Sequence, residues 1–469
     1  MQLYNQRERQ VTEFTSHQAN AATIYSCGPT VYDHAHIGNL SSYVFADILR
    51  RALQLAGYHT THAMNYTDVD DKTIRRSKES YPQDEPHAAL AKLTDHYIEL
   101  FLSDMQQVGN DTAALTFLRA TDTIEEMKQH VSDLHTAGFA YVADDGVYFS
   151  IDAYQKSGKT YGQLLELTIS NTSEARIQND EYDKESVHDF ALWKTQKDGE
   201  PAWEFTLDGQ DLTGRPGWHI ECSVMSRKAL GQPFDIHTGG VDLIFPHHEN
   251  EIAQSTALEA NPIMAQFFTH NDHILVDGKK MAKSAKNFYT LTDIVDKGYD
   301  PLAFRMMMLQ SHYRSQMNFT WESLDAAQNR LKNLRAFADL RFQPIVGDSE
   351  TAPLDFIEYQ QQMQSALLND LRTPQVLEIL SGLADARSNA ITTAEQADFE
   401  ATLRFVDDAL GLKLLESSDI TQAQKELLAA RQKARQEKDW ATSDQLRDEL
   451  VKQKIGIRDT DHGAIWFRL

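Results

Sequence analysis

The chain has 469 residues, too many for a single hydrophobic core, so two to four domains are expected. With 41% hydrophobic and 24% charged residues the composition is that of an ordinary globular protein. No apolar run approaches the roughly eighteen residues of a membrane helix. A net charge of −24 excludes indiscriminate nucleic-acid binding but leaves room for a local basic face, and a total of 2 cysteines, Cys27 and Cys222, excludes a disulfide scaffold. The stretch from Met1 to Arg9 lacks the apolar core of a signal peptide, so the cytoplasm is the expected compartment. There, a cysteine pair points to metal binding or catalysis.

In chain order, residues 21–26 read as a short buried strand that Gly28-Pro29 breaks. Beyond Gly38, Val44, Ile48, Leu49, Leu53 and Leu55 recur at helical spacing up to Gly57. Strand, glycine turn and helix suggest the first crossover of a parallel α/β sheet, whose ligands sit at the carboxyl ends of the strands. Cys27 at the strand end and His36 at the helix start therefore face the site. A helix N-terminus favours phosphate, Gly38 lets a ligand approach the backbone, and His36 and Asn39 can donate to phosphate oxygens. Taken alone, the same residues also describe a plain helix start and a small core cysteine.

Residues 59–66 form a second expected strand, running into Thr67-Asp68-Val69-Asp70-Asp71-Lys72. These aspartates either hold a cation or a substrate amine, or cap a helix. Amphipathic helices follow at 88–109 (Leu90, Leu93, Tyr97, Leu100, Phe101, Met105, Val108) and at 122–137, the latter ended by Gly138. From Tyr141 to about Gly217 short strand-like pieces and turn signals read as an insertion interrupting the first domain.

The sheet pattern resumes with Trp218-His-Ile-Glu-Cys222, read as ending a strand, and Phe234-Asp-Ile-His237. Next, Pro246 fits a first helical turn, which places His247 and Glu251 four residues apart on one face. With Cys27 and Cys222 at two strand ends, two thiolates, an imidazole and a carboxylate make a four-coordinate zinc site that uses both cysteines of the chain. Further on, Lys279, Lys280, Lys283 and Lys286 flank Met281 and Ser284 in a glycine-turned loop. In an acidic chain this reads as a mobile polyphosphate clamp rather than a solvated charge run.

Cys27, His36-Ile-Gly-Asn39, Gly217-Trp-His-Ile-Glu-Cys222, His247-His-Glu-Asn-Glu251 and Lys280-Met-Ala-Lys-Ser284, in that order, resemble the class I aminoacyl-tRNA synthetases, and among them the cysteinyl-tRNA synthetases. The resemblance covers nearly the whole chain, including Asp189-Phe-Ala-Leu-Trp-Lys194, His312-Tyr-Arg-Ser-Gln-Met-Asn-Phe319, Asn369-Asp-Leu-Arg-Thr-Pro374 and the tail from Glu437 to Trp466. It implies an α/β fold: a Rossmann catalytic domain split by an insertion, then an α-helical bundle and a small C-terminal anticodon-binding domain. The expected boundaries are 1–115 and 218–275 for the two catalytic halves, 116–217 for the insertion, 276–320 for the lysine-loop segment, 321–418 for the bundle and 419–469 for the anticodon-binding domain. Leu324, Leu331, Leu334 and Phe337, then Leu367, Leu368, Leu371, Val376, Leu377 and Leu380, lie at helical spacings, and 348–353 marks a polar break between them.

The activity implied is ATP-dependent conversion of L-cysteine to cysteinyl-adenylate and its transfer to the 3′ end of tRNA(Cys). His36 and Asn39 would hold phosphate oxygens, and Lys280 and Lys283 would close over the departing pyrophosphate, with Mg²⁺ neutralising it. One Zn²⁺ would select the thiol. The resemblance also implies that Gly28, Thr67 and Trp218 lie beside the substrate and Asp242 near the nucleotide; apart from it, the chain is expected to act as a monomer away from membranes. Two positions depart from the family pattern: Asn39 replaces its second histidine, and Ala282 replaces the first serine of the lysine loop. From Thr421 onward, ten Lys/Arg stand against eight Asp/Glu, so a basic face with Trp440 or Trp466 stacking on a base is open, as is a core role for either ring. The alternatives are a cysteine ligase acting on an amino sugar, whose known representatives lack this tail, and a non-catalytic zinc-containing tRNA-binding paralogue.

Overall fold

In the computed structural model, which describes residues 1–165, 189–281, 287–345, 354–387, 390–460 and 463–469, the run Ala21–Ser26 is the central strand of a five-stranded parallel sheet. The first half of this sheet is built from β1 (Ala21–Ser26), α1 (Ile37–Leu55), β2 (His59–Tyr66), α2 (Asp71–Ser80), α3 (Pro86–Gln107), β3 (Leu115–Arg119) and α4 (Ile124–Thr136). An antiparallel sheet follows, with β4 (Ala140–Ala143), β5 (Gly146–Phe149), β6 (Phe190–Thr195) and β7 (Gly214–Pro216) in the order β7-β6-β5-β4. The parallel sheet is completed by α5 (Trp218–Leu230), β8 (Phe234–Gly240), α6 (Glu249–Thr256) and β9 (Ala265–Asn271). Its strand order is β9-β8-β1-β2-β3, so the chain leaves β1 toward one edge and later fills the other. That reversal beside β1 leaves a crevice at the strands' carboxyl ends, the usual ligand position in such sheets.

Residues 218–222 are helical, which corrects the strand reading. Gly217 is the N-cap of α5 with extended backbone (φ −74°, ψ 157°), and His219 through Ser226 are all buried. A helix buried on every side has no polar stripe, so its sequence cannot be told from a buried strand by periodicity. The parallel sheet also takes in Leu115–Arg119, an edge strand that crosses the boundary expected at residue 115.

After β9, β10 (Ile274–Val276), β11 (Lys279–Lys280) and β12 (Met317–Phe319) form a small sheet ordered β11-β10-β12. All these elements belong to one compact unit, Met1–Gly298 with Tyr313–Phe319. The second unit, Tyr299–His312 with Thr320–Leu469, is mainly helical. It contains α7 (Trp321–Ala338), α8 (Phe356–Leu367), α9 (Thr373–Ala386) and α10 (Gln396–Leu410), with Leu324, Leu331, Leu334, Phe337, Leu367, Val376, Leu377 and Leu380 all buried. The polar break expected at 348–353 lies outside the described residues. The tail folds as α11 (Gln422–Gln436), α12 (Trp440–Lys452) and a hairpin of β13 (Ile455–Thr460) and β14 (Gly463–Arg468). No helix among the described residues is long and apolar enough to cross a membrane.

Candidate active site and metal centre

Where β1 ends, the chain passes unusually close to β2. A Cβ on Gly28 would lie 1.7 Å from the Asn65 carbonyl oxygen, so only glycine fits, and the Gly28 N–H donates to Asn65 Oδ1 at 2.8 Å. This holds Cys27 at the mouth of the crevice. From the other flank, Cys222 arrives on the second turn of α5. Phe245 leaves helical geometry (φ −132°, ψ 134°), and the chain then enters a helical path that carries His247 and Glu251 on one face.

These four residues converge. Their ligand atoms all lie within 4.8 Å of one another, and all four side chains are buried. The sulfurs are 3.9 Å apart, Cys27 Sγ is 3.8 Å from Glu251 Oε1, and His247 Nε2 is 2.9 Å from the same oxygen. Tetrahedral zinc with Zn–S bonds of about 2.3 Å sets its two sulfurs about 3.8 Å apart, so the donors fit zinc in kind, number and spacing. A second quartet, Cys27, His237, His248 and Glu251, overlaps the first but offers one sulfur instead of two.

The residues around this cluster explain its orientation. His219 and His247 share a hydrogen bond between their Nδ1 atoms (2.9 Å), which turns His247 Nε2 toward the cluster. His237 Nε2 contacts the other Glu251 oxygen, Oε2, at 2.8 Å, and His248 lies between Cys27 (3.4 Å) and His270 (2.8 Å). Trp218 stacks on His247 with ring centroids 4.1 Å apart. Sequence reasoning missed His219, His237, His248 and His270. The doubled His247-His248 was the available signal for one of them, since His248 reaches the same cluster and lies 3.4 Å from Cys27 Sγ.

Electrostatics match the donor set. Burial pushes the Cys27 thiol well up, and the hydrogen bond it gives holds Cys222 down at about 6 despite burial, so one proton is shared between two sulfurs. Burial opposes the His247 imidazolium, yet Glu251 and Cys222 together raise its pKa to about 10. Burial likewise opposes the Glu251 charge, and His237 and His247 overcome it to bring the carboxyl down to about 2. A cluster with this much negative charge available is preformed for a cation.

A cavity of 550 Å³ opens from the cluster. Cys27, Gly28 and Trp218 line its metal end, His36, Gly38 and Asn39 the α1 N-terminus, Asp242 the flank beyond β8, and Lys280 and Met281 the side of the lysine loop. His36 is the N-cap of α1: its Nδ1 accepts the Asn39 N–H at 3.1 Å, while Asn39 Oδ1 accepts the His36 N–H at 3.3 Å. In place of a second histidine, Asn39 thus completes the cap and keeps its amide N–H₂ to donate. Gly38 packs close to Met281, whose Cε would be 2.8 Å from an added Cβ. Thr67 is not among the lining residues; its N–H donates to Pro29 O (3.0 Å) and its carbonyl accepts from Val31 (3.1 Å), which fixes the loop that is. Asn287 Nδ2 donates to Lys280 O at 3.1 Å across the base of the lysine loop. Lys283 lies outside the described residues.

Comparison with known proteins agrees in family and fold. The family model described as tRNA synthetases class I (C) catalytic domain matches residues 13–329, and that of the cysteinyl-tRNA ligase anticodon binding domain matches 417–466. The chain is 38% identical over 482 residues to a Leptospira interrogans protein named cysteine--tRNA ligase, covering 99% of each. A protein of the same name from Chlamydia pneumoniae is 42% identical over 461 residues, with 94% of this chain and 92% of that one covered. Among solved structures, methionyl-tRNA synthetase of Mycobacterium tuberculosis bound by methionyl-adenylate superposes with a TM-score of 0.60 at 13% identity, over 84% of this chain and 94% of that one. That likeness is one of fold.

Proposed function

The chain belongs to the cysteinyl-tRNA ligase family of class I aminoacyl-tRNA synthetases, and on that premise we propose how its residues join L-cysteine to tRNA(Cys). In the first step a carboxylate oxygen of cysteine attacks the α-phosphorus of ATP, the bond from that phosphorus to the oxygen bridging to the β-phosphate breaks, and pyrophosphate leaves, its charge to be neutralised in part by Mg²⁺ when bound. The protein's part is positioning and charge stabilisation. His36 and the Asn39 amide donate to phosphate oxygens from the start of α1, and Lys280 and Lys283 neutralise the pyrophosphate. Gly28 and Trp218 enclose the amino acid, and Asp242 borders the nucleotide. In the second step the terminal ribose hydroxyl of tRNA attacks the carbonyl carbon, AMP leaves and the hydroxyl proton is released.

Cys27, Cys222, His247 and Glu251 would hold zinc, which when bound supplies a preference for a thiolate over a hydroxyl, because cysteine loses its side-chain proton far more readily than serine. Shape alone discriminates such near-isosteres poorly, by about a hundredfold. The observation that carries this reading is the meeting of both cysteines with His247 and Glu251, with Cys27 also lining the cavity. In the tail, Trp466 is buried among Ile420, Leu450 and Ile457, whereas Trp440 is exposed with Arg435 over its ring at 5.7 Å. Trp440 is therefore the ring offered to a splayed tRNA base, and the cytoplasm, which holds tRNA and ATP, is where the chain works.

The test is cysteine-dependent exchange between ATP and pyrophosphate, followed by charging of a tRNA(Cys) transcript. Exchange with cysteine and none with serine at equal concentration is the expected result. Equal exchange with both amino acids would overturn the role given to the four buried ligands.

A further inference from the structure

One group of cavity-lining residues is given no role in the function proposed above. They are Tyr32, Asp33, His34, Lys72, Tyr97 and Phe101. Sheet order explains their place: β8 and β2 pair with β1 on opposite sides, so Asp242, which follows β8, and Lys72, which follows β2, reach the crevice from opposite flanks. The Lys72 ammonium stands 5.9 Å from the centre of the Tyr32 ring, and His34 meets Tyr97 edge-on at 5.8 Å. The carboxylate next to Lys72 in sequence is committed elsewhere, because Asp71 pairs with Lys194 (3.2 Å) and with Arg215. Among the described residues Lys72 has no ion-pair partner, which is notable in a chain of net charge −24. It also sits in the first turn of α2, where the helix dipole adds to its positive field.

A lysine beside one phenol ring, with a second, Tyr97, in the same lining, has the make-up of a nucleotide pocket, with the ammonium for a phosphate and an aromatic face for a base. We propose that this group receives the 3′-terminal nucleotide of tRNA, with Lys72 on the phosphate that precedes the terminal ribose and Tyr32 against the base. The inference rests on the transfer step proposed above and names the residues that serve it. Lys72 then acts after the adenylate has formed, and its loss separates the two steps.

The experiment compares wild type with Lys72→Ala, Lys72→Arg, Tyr32→Leu and Tyr32→Phe. Enzyme holding preformed cysteinyl-adenylate is mixed rapidly with a tRNA(Cys) transcript at subsaturating concentration, and single-turnover transfer is recorded beside cysteine-dependent pyrophosphate exchange. Lys72→Ala should slow transfer at least tenfold with exchange within threefold of wild type, and Lys72→Arg should recover transfer to within threefold. Tyr32→Leu should slow transfer more than Tyr32→Phe. Transfer by Lys72→Ala at the wild-type rate, or an equal fall in transfer and exchange, overturns the assignment, the latter by making Lys72 part of the ATP site or of the fold. A wild-type chain that forms the adenylate but charges no tRNA overturns the proposed function, and with it this inference.

Discussion

The two tail tryptophans should respond in opposite ways to truncation. Trp466 is 4% exposed, packs on Ile420, Leu450, Ile455 and Ile457, and stacks with Phe342 at 6.3 Å. Its backbone N–H donates to Gln343 Oε1 at 2.8 Å and its carbonyl accepts from Gln343 Nε2 at 3.0 Å. Trp466→Ala removes a buried indole and should cost about 3–5 kcal/mol of stability. Trp440 is 57% exposed, with Arg435 over its ring at 5.7 Å, so Trp440→Ala should change stability by less than about 0.5 kcal/mol. If Trp440 stacks on a base, its removal should cost about 1–3 kcal/mol of tRNA binding, roughly 5- to 140-fold. Urea unfolding followed by circular dichroism reads the first pair of numbers, and titration with labelled tRNA(Cys) reads the second. Trp440→Ala binding tRNA as tightly as wild type would refute the reasoning. Deleting the whole tail is a poorer probe, because Arg468 pairs with the buried Asp339 (3.2 Å) and the deletion would strip that carboxylate of a partner.

Other outcomes follow from single residues. Lys283→Ala should slow adenylate formation by the equivalent of about 2–4 kcal/mol with little effect on cysteine binding; pyrophosphate exchange within a few fold of wild type would make Lys283 a surface lysine. His62 and His130 are buried and neutral, their pKa values lowered by burial to about 3 and about 4. The unfolded chain takes up these protons near pH 6.5, so the stability they contribute is in place above that value and is lost as pH falls toward the folded values. By pH 5 each accounts for a loss of about 2 kcal/mol, and His62→Gln should flatten the fall in urea midpoint between pH 7 and 5. An unchanged slope would contradict this.

Much of the site was legible because its chemistry lies in short motifs. Cys27, His36, His247 and Glu251 could be placed from a strand end, a helix start and a four-residue spacing. The helix that carries Cys222 was not legible, since burial on all sides erases the polar stripe from which a helix is read. His237 and His270 reach the metal cluster through β8 and β9, adjacent parallel strands in which Gly239 faces His270, and no local pattern encodes that pairing. Trp440 follows Glu437-Lys-Asp439, whereas Trp466 lies in the apolar run Ala464-Ile-Trp-Phe467; the β13–β14 hairpin buries Trp466 and leaves Trp440 outside. Thr67 follows the end of β2, where its backbone bonds to the Pro29–Val31 loop and its hydroxyl oxygen accepts from Asn65 Nδ2 at 3.2 Å.

The central claim is that both cysteines, His247 and Glu251 hold one zinc that recognises the substrate's sulfur. Zinc-edge X-ray absorption of the purified protein, with and without cysteine, tests it directly. The account predicts about one zinc per chain with two sulfurs near 2.3 Å and two lighter ligands, a third sulfur on adding cysteine, and no change on adding serine. Retained zinc whose sulfur count stays at two with saturating cysteine, or zinc content unaffected by Cys27→Ser together with Cys222→Ser, would contradict it.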